Sequence, residues 1–394
     1  MQQEELHRTA SFLRRFIKKV SMRIGIIYED DSRTLKLVEK FTSSSAFASV
    51  KLSMINVGLD EATVRLPSIE GGGEEPFVLL SRLSGSYLHR GHAFGPCIAE
   101  AIVGASEAHS HVTMLNGSRA LRLEMNKFLS NIAMCSGDFL RRCGHSSSSI
   151  PLRSPGTVLV TKLTEKLVAS AVRELGLSEG VPFYVKSITG GGSTSVHRLH
   201  NTRQQLRQDR LDAGVRRHLD PLSVPGSLYI VQASTPQREP NVQYRFEVIG
   251  RAVYYATRIE YLPDAAMQSE SEVRNFCLCD IGEEDADVSL RILHTAGGLA
   301  EEAGMLREGE GAGEEGKRAR IARAIDLLRC IAQFAEDNHL FVGALEGTLH
   351  NGKFYCFDVN TNTNYNERAE AEIGIKPAAH YLLECMLEEV ERKR

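Results

Sequence analysis

Phe341-Val342-Gly343-Ala344-Leu345-Glu346-Gly347-Thr348-Leu349-His350-Asn351-Gly352-Lys353-Phe354-Tyr355-Cys356-Phe357-Asp358-Val359-Asn360 holds two β-rich runs, 341–348 and 353–359, around the turn His350-Asn351-Gly352. Asn-Gly between such runs is a strong short-range signal for a hairpin. Asp358 and Asn360, two residues apart, leave the second strand on one face. Glu346, on the first strand, can sit beside them across the turn. Two carboxylates and an amide oxygen make a hard-oxygen donor set. Such a set holds Mg²⁺ with few protein ligands while phosphate oxygens complete the shell. The same pattern also allows a solvated hairpin end that happens to carry acidic residues.

A second group lies upstream. Phe183-Tyr184-Val185-Lys186 reads as a strand and is followed by Thr189-Gly190-Gly191-Gly192-Ser193-Thr194-Ser195. Glycines let backbone N–H groups approach phosphate oxygens, and a lysine adds a point charge. Neither G-x-x-x-x-G-K nor a G-x-G-x-x-G that opens a helix occurs here, which excludes a P-loop and a dinucleotide fingerprint. Taken singly, a triple glycine after a strand also reads as a flexible loop.

Further out, Ile24–Tyr28 and Phe77–Leu80 read as buried strands around a helix from Ser32 to Phe41, the pattern of a small parallel α/β unit. The stretch between that helix and Phe77 reads as polar and glycine-rich connections. Met114-Leu115-Asn116-Gly117 reads as a strand and turn. Ser118 then caps one helix whose face carries Leu121, Met125, Phe128, Leu129 and Ile132. Val158–Val160, Leu228–Val231, Tyr244–Ile249 and Ala252–Ile259 are strand signals, the last two joined as a hairpin through Gly250-Arg251. Residues 301–316, with six Glu and five Gly, read as a surface loop. The helix after it places Ile321, Ile325, Leu328, Ile331 and Phe334 on one stripe.

Composition sets limits. Lys plus Arg (47) against Asp plus Glu (50) leaves −3 over 394 residues, so no global attraction to nucleic acid is expected. Arg203, Arg207, Arg210, Arg216 and Arg217 could form a local RNA-binding patch, but Asp209, Asp212 and Asp220 interleave with them and favour a solvated segment. No run approaches the 18 apolar residues of a membrane span. The eight cysteines include no C-x-x-C pair; Cys277 and Cys279 are the close ones, and no secretory signal precedes them. Reduced thiols in a cytoplasmic enzyme are therefore expected rather than a zinc or disulfide framework. His89, His92, His109 and His111 keep no metal-binding pattern either. Residues 1–21, with the basic amphipathic run Phe12–Val20, read as a dispensable extension. A targeting or membrane-surface helix is the alternative, and Glu4 and Glu5 count against a transit peptide.

The order of the pieces is more telling than any one of them. It runs Lys127, strand-borne Lys186, the glycine loop, a strand ending Val231-Gln232-Ala233, Tyr244-Arg245-Phe246-Glu247-Val248-Ile249-Gly250, then the Glu346…Asp358-Val359-Asn360 hairpin. This order resembles the ATP-grasp superfamily over residues 115–385. It looks closest to the α-L-glutamate ligase branch, with D-alanine–D-alanine ligase a more distant relative. The resemblance implies an N-terminal α/β domain (22–117) and an ATP-grasp domain (118–394), made of α+β subdomains 118–231 and 232–394 that sandwich ATP. Lys127 and Lys186 would contact the nucleotide phosphates, and Gly190, Gly191, Gly192 and Ser193 would close over them. The hinge, with Gln232 and Ala233, would meet adenine. Glu346, Asp358 and Asn360 would hold Mg²⁺, for which Mn²⁺ could substitute. Arg258 and Asn275 would contact the transferring phosphate and the carboxylate substrate.

The implied activity is carboxylate–amine ligation through an acyl phosphate, on small-molecule substrates resembling amino acids. A non-catalytic ATP-binding regulatory module is the alternative, and a homodimer is allowed. The sequence departs from the pattern in three places. Asp358 and Glu346 exchange the usual Glu and Asp, Ala233 stands where an acidic residue is common, and Thr361–Asn366 replaces a Gly- or Pro-containing turn. Asn362 and Asn364 could reach substrate there or support the turn. Arg82, after an early strand, could bind a carboxylate or be an ordinary surface arginine.

Overall fold

Ile24–Tyr28 and Phe77–Leu80 are buried at every position, as strands covered on both faces must be. The computed structural model describes residues 23–28, 32–43, 51–56, 77–83, 95–188, 196–207, 211, 228–235, 242–261, 288–293, 298–300, 313–363 and 365–392. The extension 1–21, most of the arginine-rich segment, the glycine loop 190–193, Asn275 and Asn364 lie outside these. Among the described residues the strands form three sheets.

The first is parallel. β1 (Arg23–Tyr28), β2 (Lys51–Asn56), β3 (Phe77–Ser81) and β4 (Val112–Leu115) are ordered β2-β1-β3-β4, with helices α1 (Ser32–Ser43) and α2 (Gly95–Glu107) between them. Residues 51–56, expected in a connection, form this sheet's edge. This edge strand is half-buried from Leu52 to Ile55, so it lacks the continuous apolar run that betrays β1 and β3.

After β4, residues 118–153 pack against the largest sheet. Here the single expected helix is two, α3 (Ser118–Met125) and α4 (Lys127–Cys135). Asn126 between them is extended (φ −140°, ψ 94°), and its side chain accepts the N–H groups of Phe128 and Leu129, an N-cap that starts a new helix. Leu129 and Ile132 consequently point outward instead of continuing the apolar face. α5 (Gly137–Arg142) and the short β5 (Leu152–Arg153) follow.

The second sheet is antiparallel, in the order β6 (Thr157–Val160), β9 (Tyr229–Ala233), β7 (Pro182–Ser187), β8 (Val196–His200). α6 (Glu165–Glu174) buries Val168, Ala171 and Val172 against Phe183, Val185, Leu199 and Val231. Strand alternation therefore turns Tyr184, Lys186 and Gln232 to the other face.

The third sheet has the order β12 (Val288–Leu293), β11 (Ala252–Tyr261), β10 (Val242–Ile249), β13 (Val342–His350), β14 (Lys353–Asn360), β5. Both hairpin turns carry two consecutive positive φ angles, Gly250 63° and Arg251 68°, then Asn351 50° and Gly352 70°, which suits the twist of paired strands. α7 (Glu314–Asp337) covers one face, with Phe334 edge-on to Phe139 of α5 at 5.9 Å. Residues 314–316, expected in a loop, are its first turn. Its buried stripe is Ala324, Leu327, Cys330, Ile331 and Phe334, and Ile325 is exposed, so the face expected from the aliphatic residues is rotated. The small Ala324 and the thiol of Cys330 take positions that the search for large aliphatics passes over. After the short α8 (Glu367–Glu372), α9 (Ala378–Arg392) fills the space between the parallel sheet and the third sheet through Leu382, Leu383 and Met386.

Asn116 ties the parallel sheet to this third sheet. It is 1% exposed and holds φ 51°. Its amide oxygen accepts the N–H groups of Phe341 (2.9 Å) and Val342 (3.1 Å), and its Nδ2 donates to the carbonyls of Val342 (2.7 Å) and Thr361 (3.2 Å). Removing it strands buried backbone groups at about 1–3 kcal/mol each. Asn116→Ala should lower the unfolding free energy by about 3 kcal/mol or more in urea, with Asn116→Gly recovering only the roughly 1 kcal/mol owed to the left-handed backbone. A loss below about 1 kcal/mol for Asn116→Ala would contradict this role.

Candidate active site between two sheets

Across the last hairpin Glu346 pairs with Asp358 and Ala344 with Asn360. Directly opposed residues share a face, and so do residues two apart, so Glu346, Asp358 and Asn360 leave the sheet together, away from α7. The register then shifts: Gly347 opposes Cys356, which makes Phe357 the extra residue of a bulge. Glycine is required beside it, because a Cβ at 347 would run into the Tyr355 carbonyl.

The helix break at Asn126 delivers Lys127 to this face. As the first residue of α4, Lys127 gives its N–H to the Ile188 carbonyl at 2.9 Å, just past the end of β7. Its ammonium meets Asp358 Oδ1 at 2.5 Å. Lys186 approaches from β7: its Nζ donates to Gln232 Oε1 at 2.7 Å and lies 5.1 Å from the Phe357 ring centroid. Both lysines are 6% exposed. Burial, and then the neighbouring Lys127 charge, lower the Lys186 pKa to about 8, with Asp358 and Glu346 opposing the fall. Burial likewise raises the Glu346 carboxyl, against the pull of Arg245, and Asp358 raises it further. Two carboxylates and two lysines held this close form a site that an anion and a divalent cation would jointly satisfy.

The structure thus brings together Lys127, Lys186, Gln232, Glu346 and Asp358, with Asn360 on the same face. Gln232 is 1% exposed, and its amide nitrogen donates to Thr157 Oγ1 at 3.1 Å. Both ends of its amide are engaged, and its oxygen orients Lys186. Ala233 closes β9, its N–H donated to the Gly156 carbonyl at 2.8 Å.

Arg258 is not brought to this face. It pairs with Tyr244, whose ring lies in the core under α7, so it leaves the sheet on the reverse face. There it pairs with Glu260 at 2.5 Å. The arginine of this hairpin on the site's side is Arg245. Arg245 binds Glu346, Glu247 Oε1 (2.6 Å) and Thr363 Oγ1 (2.6 Å), and Thr363 Oγ1 in turn donates to Glu247 Oε2 at 2.6 Å. Burial works against the guanidinium charge, but Glu247 and Glu346 hold it protonated, above its ordinary range. The available signal was alternation: Arg245 and Glu247 interleave with buried Tyr244, Phe246 and Val248. Arg82 is not a surface residue. It is 1% exposed, with Nε on Thr34 Oγ1 (3.2 Å) and Nη1 on the Thr363 carbonyl (3.1 Å), and its own carbonyl accepts from Asn362 Nδ2 at 3.3 Å.

Glu346, Asp358 and Asn360 fit a Mg²⁺ ion: the donors are all oxygen, share a face, and border two lysines that phosphates could bridge.

No family model and no curated protein matches the sequence. Solved structures do match. A D-alanine–D-alanine ligase from Bacillus anthracis complexed with ATP aligns with 95% of this chain and 98% of its own, at 14% identity and a TM-score of 0.52. The D-cycloserine synthetase DcsG aligns with 94% of this chain and 99% of its own (14% identity, TM-score 0.50). The ATP-grasp ligase PsnB, complexed with a phosphomimetic variant of its minimal precursor, Mg and ADP, aligns with 93% and 100% (13% identity, TM-score 0.50). The chain has the ATP-grasp fold.

The electrostatics make a measurable claim. In the ligand-free protein one lysine should titrate near pH 8, well below the ordinary 10.5, as followed by NMR of reductively ¹³C-methylated lysines. The resonance should vanish in Lys186→Met. In Asp358→Asn its midpoint should fall, because a charge that favours the ammonium is gone. An unshifted midpoint in Asp358→Asn would show that the two groups do not face each other.

Proposed function

We propose that this chain is an ATP-dependent carboxylate–amine ligase. The observation that carries the reading is the convergence of Lys127 and Lys186 with Glu346 and Asp358 between two sheets of an ATP-grasp fold. Likeness to structures that hold ATP, or Mg and ADP, supports the nucleotide. The branch, nearest the α-L-glutamate ligases, rests on the order of sequence elements alone.

The triphosphate lies with its charge toward Lys127 and Lys186. Phosphoryl transfer asks for positioning and charge neutralisation rather than covalent help from the protein. Glu346, Asp358 and Asn360 would hold Mg²⁺, which would supply further positive charge to the phosphate oxygens. Gln232 fixes the Lys186 ammonium, and Arg245 fixes Glu346. A carboxylate oxygen of the substrate attacks the γ-phosphorus, the bond to the bridging oxygen breaks, and ADP leaves with that electron pair. The acyl phosphate then accepts an amine at its carbonyl carbon. Phosphate departs, the amine loses a proton, and an amide remains. Closure of Gly190–Ser193 over the phosphates would keep water from the acyl phosphate, and Asn275 would meet the substrate carboxylate. The substrates belong to the amino-acid-like small molecules.

The test is incubation with Mg-ATP and pools of amino acids, following phosphate release and identifying any new amide by mass. Lys186→Ala and Asp358→Asn should each abolish amide formation, a loss of at least about 100-fold, while circular dichroism stays unchanged. EDTA should stop turnover, and Mg²⁺ or Mn²⁺ should restore it. Near-native turnover by either variant overturns the site. ATP binding with no carboxylate- and amine-dependent phosphate release overturns the ligase reading in favour of a regulatory module.

A further inference from the structure

A second constellation lies on the opposite side of the third sheet, where α7 covers it. Asp326 and Cys330 are four residues apart on α7, so their side chains stand one above the other. They face the turn that ends α5. Cys143 caps that helix, Gly144 takes φ 72°, and the chain doubles back so that the His145 N–H meets the Leu140 carbonyl at 3.0 Å. His145 Nε2 then sits 2.9 Å from Asp326 Oδ2. The ligand atoms of His145, Asp326 and Cys330 all lie within 4.8 Å of one another. Cys143, at the C-terminal end of α5, neighbours Cys330 closely enough for each thiol to bear on the other's ionisation, which offers a fourth donor to the trio.

We propose that Cys143, His145, Asp326 and Cys330 form a tetrahedral site for Zn²⁺ that pins the end of α5 to α7. Two thiolates, an imidazole and a carboxylate are the donor types zinc takes in closed structural sites. Bond lengths of roughly 2.0–2.3 Å put such donors about 3.3–3.8 Å apart, so His145, Asp326 and Cys330 need only small side-chain shifts to close on an ion, and the Cys143 thiol turns in to complete the set. The surroundings are those of a metal-ligating histidine. Its other ring nitrogen, Nδ1, lies 3.4 Å from Ser149 Oγ, the kind of outer partner that fixes tautomer and ring orientation. The frame is set before any ion arrives: Phe139 packs edge-on against Phe334 at 5.9 Å, and Arg142 Nε meets Asp337 Oδ2 at 3.0 Å. Cys330 is 1% exposed and His145 is partly open, so the site is walled on one side and reachable on the other. Binding sends the two thiol protons to solvent. Zinc here lies across the sheet from Glu346 and Asp358 and has no part in phosphate chemistry.

The full chain, reduced and freed of metal with EDTA, is titrated with ZnCl₂ against a chromogenic chelator, and separately with CoCl₂. The proposal expects one tightly bound zinc, a thiolate-to-cobalt charge-transfer band with tetrahedral ligand-field bands, and a thermal midpoint raised by zinc. His145→Ala and Asp326→Asn, both at partly open positions, should keep the fold by circular dichroism yet lose that equivalent, the cobalt bands and the zinc-dependent rise. Glu346→Gln should keep all three, which separates this ion from the nucleotide's metal. Absence of zinc uptake by the reduced chain overturns the proposal, including where aerated protein forms a Cys143–Cys330 disulfide instead. Undiminished uptake in both His145→Ala and Asp326→Asn overturns it equally.

Discussion

The Lys127 ammonium rests on the Asp358 carboxylate at 2.5 Å, with Lys186 close enough to feel both charges. Charges taken out of water cost several kcal/mol each unless opposite charges and hydrogen bonds repay them. Lys186 comes from one sheet, Lys127 from the start of α4 and the two carboxylates from the facing sheet, and Arg245 and Glu247 extend the set. The cluster is not fully settled: Lys186 is left partly destabilised as an ammonium, and Glu346 as a carboxylate. That residual misfit is what a polyanion and a divalent cation would relieve together, and the proposed ligase chemistry grows from it.

Backbone features far apart in sequence serve this one arrangement. The extended Asn126 breaks a helix so that Lys127 opens α4 and its N–H can hold the chain just past β7. The bulge at Phe357 puts an aromatic ring beneath Lys186 and leaves Asp358 opposite Glu346. Asn116, in a left-handed conformation, fastens the start of β13 and the segment after β14 to the parallel sheet. Each is a local departure from regular structure, and each holds in place an element that carries the cluster or adjoins it. The reverse side of the third sheet is built differently: α5 and α7 pack by aromatic contact, and the cysteine–histidine–aspartate cluster sits at their seam.

How much of this was legible follows from sequence distance. The Glu346–Asp358–Asn360 face could be read because a tight Asn-Gly turn fixes hairpin register locally. Lys186 could be read because it ends an apolar strand and precedes glycines. The Arg245–Glu346 pair spans 101 residues, and its register depends on a sheet order that no local pattern gives, so Arg245 went without a role in the sequence. Helix periodicity misled twice: Leu129 and Ile132 extended a face that Asn126 in fact ends, and Ile325 displaced Ala324 and Cys330 from the expected buried stripe. The proposed zinc ligands were invisible for the same reason as Arg245. Cys-x-His and Asp-x-x-x-Cys are each too short to signal a site, and only the packing of two helices brings them together.

A triphosphate seated on Lys186 would change that group's protonation, which proton linkage on nucleotide binding reads out. Titration of the protein with Mg-AMPPNP at pH 8, by calorimetry in two buffers of different ionisation enthalpy, gives the protons exchanged per nucleotide bound. With the Lys186 pKa at about 8 in the free protein, a triphosphate seated on it should draw in about half a proton per nucleotide, and the uptake should disappear in Lys186→Met. Binding with no proton uptake, or uptake unchanged in that variant, would mean that the phosphates do not lie against Lys186 and that this cleft is not where the nucleotide sits.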